Sequence, residues 1–322
     1  MPSPRSPRSP RCPRISRRTL RAASALSLAV GSTLAMSVAL PGTAGAATAP
    51  ATVKSRAAAG TFEYDAAPGQ TNHVSVVARS SDGVHLTYAI DDLVPITIAA
   101  GAPCTHPDSA DLTRISCTGT GRTSGHRYTV LAVVLGDGDD YFTYDNGTGQ
   151  VRNSVFLSLG SGNDGAIDSG EIDGNEIDGG AGNDSVFAGT DALVLGDEGA
   201  DTIYVGARSN ALGGTGSDVF YPSGDGSRVD AGAGDDLIYG GGGRQTLIGG
   251  AGNDEIRGGA GDDLMYGGAG NDTLLGSYGN DLMYGDSGAD TLYGNSGNDK
   301  LYGGTGRDTL SGGPGRNVVR QD

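Results

Sequence analysis

The sequence predicts an all-β protein built as a stack of nine-residue units, with a small β-domain ahead of the stack. Three observations carry this. Gly-Gly-x-Gly-x-Asp returns every nine residues, as in GGAGNDEIRGGAGDDLMYGGAGNDTLLG from Gly249 to Gly276. The eighth position of ten consecutive nonapeptides from Ala231 to Arg320 holds Ile238, Leu247, Ile256, Met265, Leu274, Met283, Leu292, Leu301, Leu310 and Val319, never a polar residue. Finally, 58 of the 322 residues are Gly and none is Trp, too little bulk for a wide core but enough for a thin one. Units this short bury an apolar face only by stacking on their neighbours.

The elements follow in chain order. Residues 1–46 read as a secretory signal peptide. Arg5, Arg8, Arg11, Arg14, Arg17, Arg18 and Arg21 precede an Ala/Leu/Val-rich run, and Thr43-Ala44-Gly45-Ala46 supplies the small residues of a cleavage site. Ser16-Arg17-Arg18-Thr19-Leu20 also resembles a twin-arginine signal, although Arg21 interrupts the apolar continuation, so the export route stays open. Removing seven arginines and no acids takes the formal net charge from −16 to −23. Such a chain repels nucleic acid and anionic membranes and attracts cations.

Residues 47–60 read as a small-residue linker. Over 61–134, runs such as His73-Val74-Ser75-Val76-Val77 and Tyr128-Thr129-Val130-Leu131-Ala132-Val133-Val134 place β-formers between turn residues and predict strands of a small β-domain. Cys12 leaves with the signal. Cys104 and Cys117 remain as an even pair in an oxidising compartment, and a disulfide between them is expected. Residues 135–230 carry looser repeat copies, and 231–322 the strict array, whose register never slips.

Within each unit the glycines supply turns with positive φ, and the single apolar position builds a thin spine. A disordered acidic segment would not hold that position apolar ten times running. Over Ala231 to Arg320, and loosely back to Leu135, the pattern Gly-Gly-x-Gly-x-Asp-x-U-x (U apolar) resembles the RTX (hemolysin-type) calcium-binding nonapeptide repeats. The resemblance does not cover Thr61 to Val134. It implies a parallel β-roll with two nonapeptides per turn, Gly/Asp loops along both edges, and Ca²⁺ held between turns by backbone carbonyls and sixth-position carboxylates.

With two units per turn, residues eighteen apart stack. Asp236, Asp254, Asp272, Asp290 and Asp308 then form one column. Gln245, Asp263, Asp281, Asp299 and Asn317 form the other. The looser copies contribute Asp140, Asp164, Asp184, Asp201 and Asp218 as further ligand candidates, with stacking partners left open. Carboxylates about 4.8 Å apart repel by roughly 3 kcal/mol at an effective dielectric of 20, so a counter-ion is required. Ca²⁺ takes six to eight oxygens in flexible geometry and suits these loops better than Mg²⁺.

Other motifs weigh less. Gly285-Asp286-Ser287-Gly288 spells a serine-protease nucleophile sequence but sits in repeat register, and Asn183-Asp184-Ser185 and Asn271-Asp272-Thr273 are glycosylation sequons produced by the repeat. His73, His85, His106 and His126 form no zinc-protease pair, and Asp91 and Asp92, adjacent on a strand, point to opposite faces. Tyrosines recurring at the ninth position (Tyr239, Tyr266, Tyr284, Tyr293, Tyr302) are expected to pack over the sheet faces rather than form a sugar- or surface-binding stripe.

Together these readings lead to the expectation of a secreted, non-enzymatic, calcium-dependent module with a structural or adhesive role and an extracellular partner of unspecified kind. Neither nucleic acid nor a membrane span after signal removal is expected. The array would stay unfolded at cytosolic calcium and fold after export, which favours Sec over twin-arginine export. The alternative is an extracellular enzyme with its active site in 61–134 and the roll as a stability module.

Overall fold

The computed structural model describes residues 49–55, 61–80, 85–120, 128–148, 153–169 and 174–321, all in one compact unit. The signal peptide expected over 1–46 and His126 lie outside the described residues. Among the described residues all regular structure is β, and no helix is long and apolar enough to cross a membrane.

The chain winds between two fourteen-stranded sheets. Over the repeats it climbs a parallel β-solenoid. A strand such as Thr246–Ala251 lies in the first sheet, Glu255–Ala260 in the second, and Leu264–Ala269 returns to the first, with Thr246 opposite Leu264. One turn is therefore eighteen residues. Alternation along each short strand turns one side chain inward, and Leu247, Ile256, Met265 and Leu274 are completely buried. The same holds for Ile238, Met283, Leu292 and Leu301; at the C-terminal end Leu310 is partly buried and Val319 is 45% exposed.

The roll begins before the repeats do. Strand β1 (Ala51–Ser55) is followed by β2 (Phe62–Asp65) and β3 (His73–Ser80). Next come β4 (His85–Asp91), β5 (Ile96–Ile98), β6 (Cys104–Thr105), β7 (Arg114–Thr120), β8 (Tyr128–Asp137) and β9 (Tyr141–Gly147). β2 lies parallel to β8 in the first sheet and β3 parallel to β9 in the second, so they already form part of a turn. β1 then pairs antiparallel with β2, β4 with β3, and β7 with β4 and β6. These strands carry on the two sheets of the roll rather than closing a core of their own. They cover the end where parallel turns would leave the spine open, and Phe62, Tyr64, Tyr88, Ile90 and Ile115 fill the interior there.

The stretch expected as linker, 47–60, contains β1, with Ala51 and Val53 completely buried. Their small side chains fit beneath the cap, which a composition reading takes for a spacer. Cys104 and Cys117 stand directly opposite on β6 and β7 and are joined by a disulfide.

The looser region 135–230 continues the same sheets without interruption. Successive turns of the first edge take 24, 20, 17, 17 and 18 residues before the period settles. Length is absorbed on the opposite edge, where Asp191 and Arg208 take φ of 59° and pair with each other at 2.6 Å.

Aromatic side chains on the outer faces stack on one another along the roll. Phe187, Tyr204, Tyr221 and Tyr239 form one ladder, with ring centroids 4.3, 4.4 and 5.4 Å apart. Tyr266, Tyr284 and Tyr302 form another on the other sheet, at 5.1 Å spacing. Arg257 caps the first ladder and Arg320 the second. The rings spend their faces on each other, a packing role for Tyr239, Tyr266, Tyr284 and Tyr302 at the ninth position, whereas Tyr293 is 38% exposed and belongs to neither ladder.

Candidate metal centre

Each Gly-x-Gly-x-Asp loop joins a strand of one sheet to a strand of the other. Its geometry follows from two glycines. Gly250 and Gly252 take φ of 117° and 145°, and a Cβ on either would come within 2.0 and 1.8 Å of the carbonyl oxygens of Gly232 and Gly234, one turn below. The second position sometimes accepts another residue in the left-handed region, as Asp197, Ser277, Asp286 and Asn295 do at φ of 66 to 78°. The fourth position near 145° is a conformation essentially reserved for glycine.

The sixth-position aspartates turn inward and stack. The Asp236 amide donates to Oδ1 of Asp254, the Asp254 amide to Asp272, Asp272 to Asp290 and Asp290 to Asp308, at 2.9 to 3.0 Å. The ladder extends through the looser repeats. Asp218, Asp201, Asp184, Asp164 and Asp140 each donate to the next carboxylate in the same way, at 2.7 to 2.8 Å. The structure thus places all ten first-edge candidates in one column. On the second edge Gln245, Asp263, Asp281, Asp299 and Asn317 form a shorter one, with amide-to-side-chain bonds of 2.7 to 3.0 Å.

One oxygen of each carboxylate is thereby used, and the other is left over. Among the described residues, Oδ2 of Asp140, Asp164, Asp184, Asp201, Asp218, Asp236, Asp254, Asp272 and Asp290 on the first edge accepts no hydrogen bond, although every one is buried. The same is true of Asp263, Asp281 and Asp299 on the second edge. Asp308 differs: half-buried at the last turn, its Oδ2 accepts from the Gln321 side-chain amide at 2.8 Å.

Where these oxygens lie explains the first glycine of the repeat. A Cβ on Gly249 would meet Oδ2 of Asp254 at 2.2 Å and the Gly267 carbonyl at 2.7 Å; on Gly276 it would meet Asp281 Oδ2 at 2.3 Å and the Gly294 carbonyl at 2.7 Å. A carboxylate oxygen and a carbonyl of the next turn therefore converge on the bare Cα. Each turn thus brings one carboxylate oxygen beside a carbonyl, while no three His, Cys, Asp or Glu side chains converge among the described residues. An all-oxygen set of this kind fits Ca²⁺ rather than Zn²⁺.

Burial makes these carboxylates hard to ionise. It pushes Asp184, Asp263 and Asp272 up to about 7, with neighbouring aspartates adding to the rise and the ladder amides opposing it. Asp140, Asp218, Asp236, Asp254 and Asp281 rise to about 6 for the same reasons. Burial also raises Asp164, Asp201 and Asp290. A bound cation would relieve this cost by favouring the charged form.

Two features escaped sequence reasoning. The fifth position forms an outer ladder that runs the opposite way. The Asn253 amide donates to Asp235 at 2.7 Å, Asn271 to Asn253 at 3.0 Å and Asn280 to Asp262 at 2.8 Å, each back to the preceding turn. The Asn/Asp bias at that position was the available signal. The second edge also changes character along the roll. Before Gln245 its column continues as Ser227, Ser209, Ala192 and Asn175: the serines bond to backbone carbonyls, buried Ala192 has no polar side chain, and Asn175 Oδ1 accepts from the Val155 amide. Ser209 Oγ accepts from the Ala192 amide at 3.0 Å and donates to the Gly189 carbonyl at 3.1 Å.

The family model for the RTX calcium-binding nonapeptide repeat, four copies long, matches at residues 169–192, 212–244, 239–274, 266–301, 275–310 and 284–319. No curated protein matches the chain. The matched stretches take in the stacked loops of Asp184 and of Asp218 onward but not those of Asp140, Asp164 and Asp201, and within residues 169–319 this chain carries RTX calcium-binding nonapeptide repeats wound into a parallel β-roll.

Proposed function

We propose that the chain is an exported, non-catalytic calcium-binding scaffold whose roll folds on Ca²⁺ and then serves as a structural or adhesive extracellular module. The column of buried, unpartnered Oδ2 atoms carries this reading. Twelve such oxygens, nine in one column and three in the other, oppose folding without counter-charge, whereas the same oxygens beside carbonyls of the next turn are ligands once Ca²⁺ arrives. The residues that would hold the ions are Asp140, Asp164, Asp184, Asp201, Asp218, Asp236, Asp254, Asp272, Asp290 and Asp308 on the first edge, and Asp263, Asp281 and Asp299 on the second.

Because ligands meet only in the folded state, binding free energy is folding free energy. Extracellular calcium modules work near 10⁻⁴ to 10⁻³ M, which keeps such an array open in a low-calcium cytosol and closes it outside. The basic-apolar leader of residues 1–46 supports export. The deciding experiment is far-UV circular dichroism of residues 47–322 during a Ca²⁺ titration with Mg²⁺ as control. A coil-to-β transition specific to Ca²⁺ is expected; a complete β spectrum in calcium-depleted buffer would refute the coupling. Screening the same protein for hydrolytic turnover tests the non-catalytic part, which activity abolished by one substitution in 61–134 would overturn.

A further inference from the structure

The segment Ala67–Asn72 carries no Gly-Gly-x-Gly-x-Asp signature and lies outside the residues matched to the repeat family. It nevertheless occupies the place of a repeat loop. It joins β2 of the first sheet to β3 of the second, as every first-edge loop does. The Asn72 carbonyl accepts from the Tyr141 amide at 2.9 Å, just as the Asp140 carbonyl accepts from Gly165 and the Asp164 carbonyl from Ser185. The Asn72 amide donates to Oδ1 of Asp140 at 2.6 Å, the same bond that links each later sixth-position residue to the next. The Gln70 carbonyl stands over Gly138, where a Cβ would meet it at 2.4 Å, as the Gly138 carbonyl stands over Gly162 at 2.0 Å. Asn72 is thus the sixth residue of a hidden loop, with an amide in place of the carboxylate.

This loop and the first repeat loop both carry buried oxygens that accept no hydrogen bond. Asn72 is completely buried, and Asp140 and Gln70 are 3% and 7% exposed. Oδ1 of Asn72, Oδ2 of Asp140 and Oε1 of Gln70 are all without a partner. The Asn72 Nδ2 group, at 3.2 Å from Asp140 Oδ1 and 3.3 Å from the Gln70 carbonyl, fixes which way its amide points and leaves Oδ1 as the spare acceptor. The Gln70 amide is likewise oriented by donating to the Ala49 carbonyl at 2.6 Å. Asp92, also buried, spends both oxygens on the Tyr64 hydroxyl and on the amides of His73 and Leu93. It therefore adds negative charge to this end of the column without offering a spare oxygen.

We propose that Asn72, Asp140 and Gln70 hold a divalent oxygen-seeking cation, Ca²⁺, that fastens the N-terminal cap to the first turn of the roll. The inference rests on the calcium reading of the repeats and extends it to a loop that no repeat pattern identifies. The donor set, one carboxylate oxygen, two side-chain amide oxygens and loop carbonyls, is the mixed oxygen chemistry Ca²⁺ accepts. One carboxylate in place of two makes it the weakest-charged position of the column, so it should fill last as calcium rises.

The test is calcium bound per full-length chain at saturation, by equilibrium dialysis, together with hydrogen exchange at the amides of Asn72 and Tyr141. Asn72→Leu keeps the volume and the backbone bond but removes Oδ1, together with the Nδ2 bonds to Asp140 Oδ1 and the Gln70 carbonyl. It should bind one ion fewer than the unaltered chain and lose calcium-dependent protection at those two amides, while protection at Asp254 and Asp272 persists. Asn72→Asp keeps the shape and adds charge. It should keep the ion count and protect the two amides at roughly tenfold lower calcium. An unaltered chain that binds no calcium refutes the parent reading. A chain that binds calcium with Asn72→Leu unchanged in count, or with protection in Asn72→Asp arising at an unchanged calcium concentration, overturns the cap site alone.

Discussion

The amide of Asp254 donates to Oδ1 of Asp272, eighteen residues later, at 2.9 Å, while Oδ2 of Asp272 is buried with no donor. One carboxylate thus does two separable things: a neutral acceptor serves the ladder, and only a charged one serves a cation. Asp272→Asn keeps the first and removes the second, whereas Asp272→Ala removes both. In calcium-depleted buffer Asp272→Asn should make the roll more stable than the unaltered chain, by about 1–3 kcal/mol for one buried charge removed. In saturating calcium it should be less stable, with a midpoint shifted severalfold upward. Asp272→Ala should be destabilised in both. Residual β signal in calcium-depleted buffer and urea unfolding in saturating calcium, both followed by circular dichroism, check the crossover. Asp272→Asn behaving like Asp272→Ala throughout would mean that the ladder bond, not the cation, dominates.

The same burial sets an unusual pH dependence. Burial raises Asp184, Asp263 and Asp272 to about 7 and Asp236, Asp254 and Asp281 to about 6, while an unfolded Asp sits near 3.9. The metal-free folded state therefore binds more protons than the unfolded chain between about pH 4 and 7. By linkage its stability is greatest near pH 4 and falls as pH rises through 6 to 7. Acidifying calcium-depleted protein from pH 8 to 5 should increase β content, the reverse of ordinary acid denaturation. With calcium present, protons compete for the same oxygens, so the titration midpoint should rise over the same interval. A metal-free spectrum that loses strand signal on acidification would contradict the assignment of buried, unpaired carboxylates.

Much of this was legible in the sequence, and the limits have physical causes. Ile238 through Leu301 could be placed in the spine because one inward position per strand leaves no alternative face. The eighteen-residue sorting found the Asp254–Asp272–Asp290 column because the strict array keeps its period. Asp140 to Asp218 could not be sorted, since their turns take 24, 20 and 17 residues and only three-dimensional register brings them into line. The loop at Asn72 was invisible because its backbone, not its residue types, repeats the pattern. β1 reads as linker because Ala51 and Val53 need only small side chains to fill the space beneath the cap.

Glycine positions should differ sharply in their tolerance. Gly252→Ala forces a Cβ to 1.8 Å from the Gly234 carbonyl at φ 145°, with backbone on both sides of the clash. Strain of this class is of order 1–3 kcal/mol before the turn shifts, and a misaligned turn also disturbs the ligands above and below it. Gly242→Ala meets nothing within 4 Å and should be neutral or slightly stabilising, through reduced freedom of the unfolded chain. Thermal melts in saturating calcium compare the two. Equal melting temperatures would show that the loops repack more freely than the stacked carbonyls indicate.

The two halves of the second edge should respond differently to calcium. Asp263, Asp281 and Asp299 stack there with unpartnered Oδ2 atoms, whereas Ser209 and Ser227 close their turns with side-chain hydrogen bonds. Ser209→Ala removes an acceptor for the Ala192 amide and a donor to the Gly189 carbonyl, a loss of about 1–2 kcal/mol. That loss needs no metal, so it should appear in any calcium concentration at which the turn is folded, without moving the amount of calcium bound. Asp281→Ala should lower the bound calcium and destabilise chiefly when calcium is present. Hydrogen exchange across rising calcium should then show protection near Ala192 and Asn210 before protection near Asp281 and Lys300, because fewer unpaired charges oppose folding there. Simultaneous protection of both regions would mean that the roll folds as one cooperative unit in which the first edge alone sets the calcium requirement.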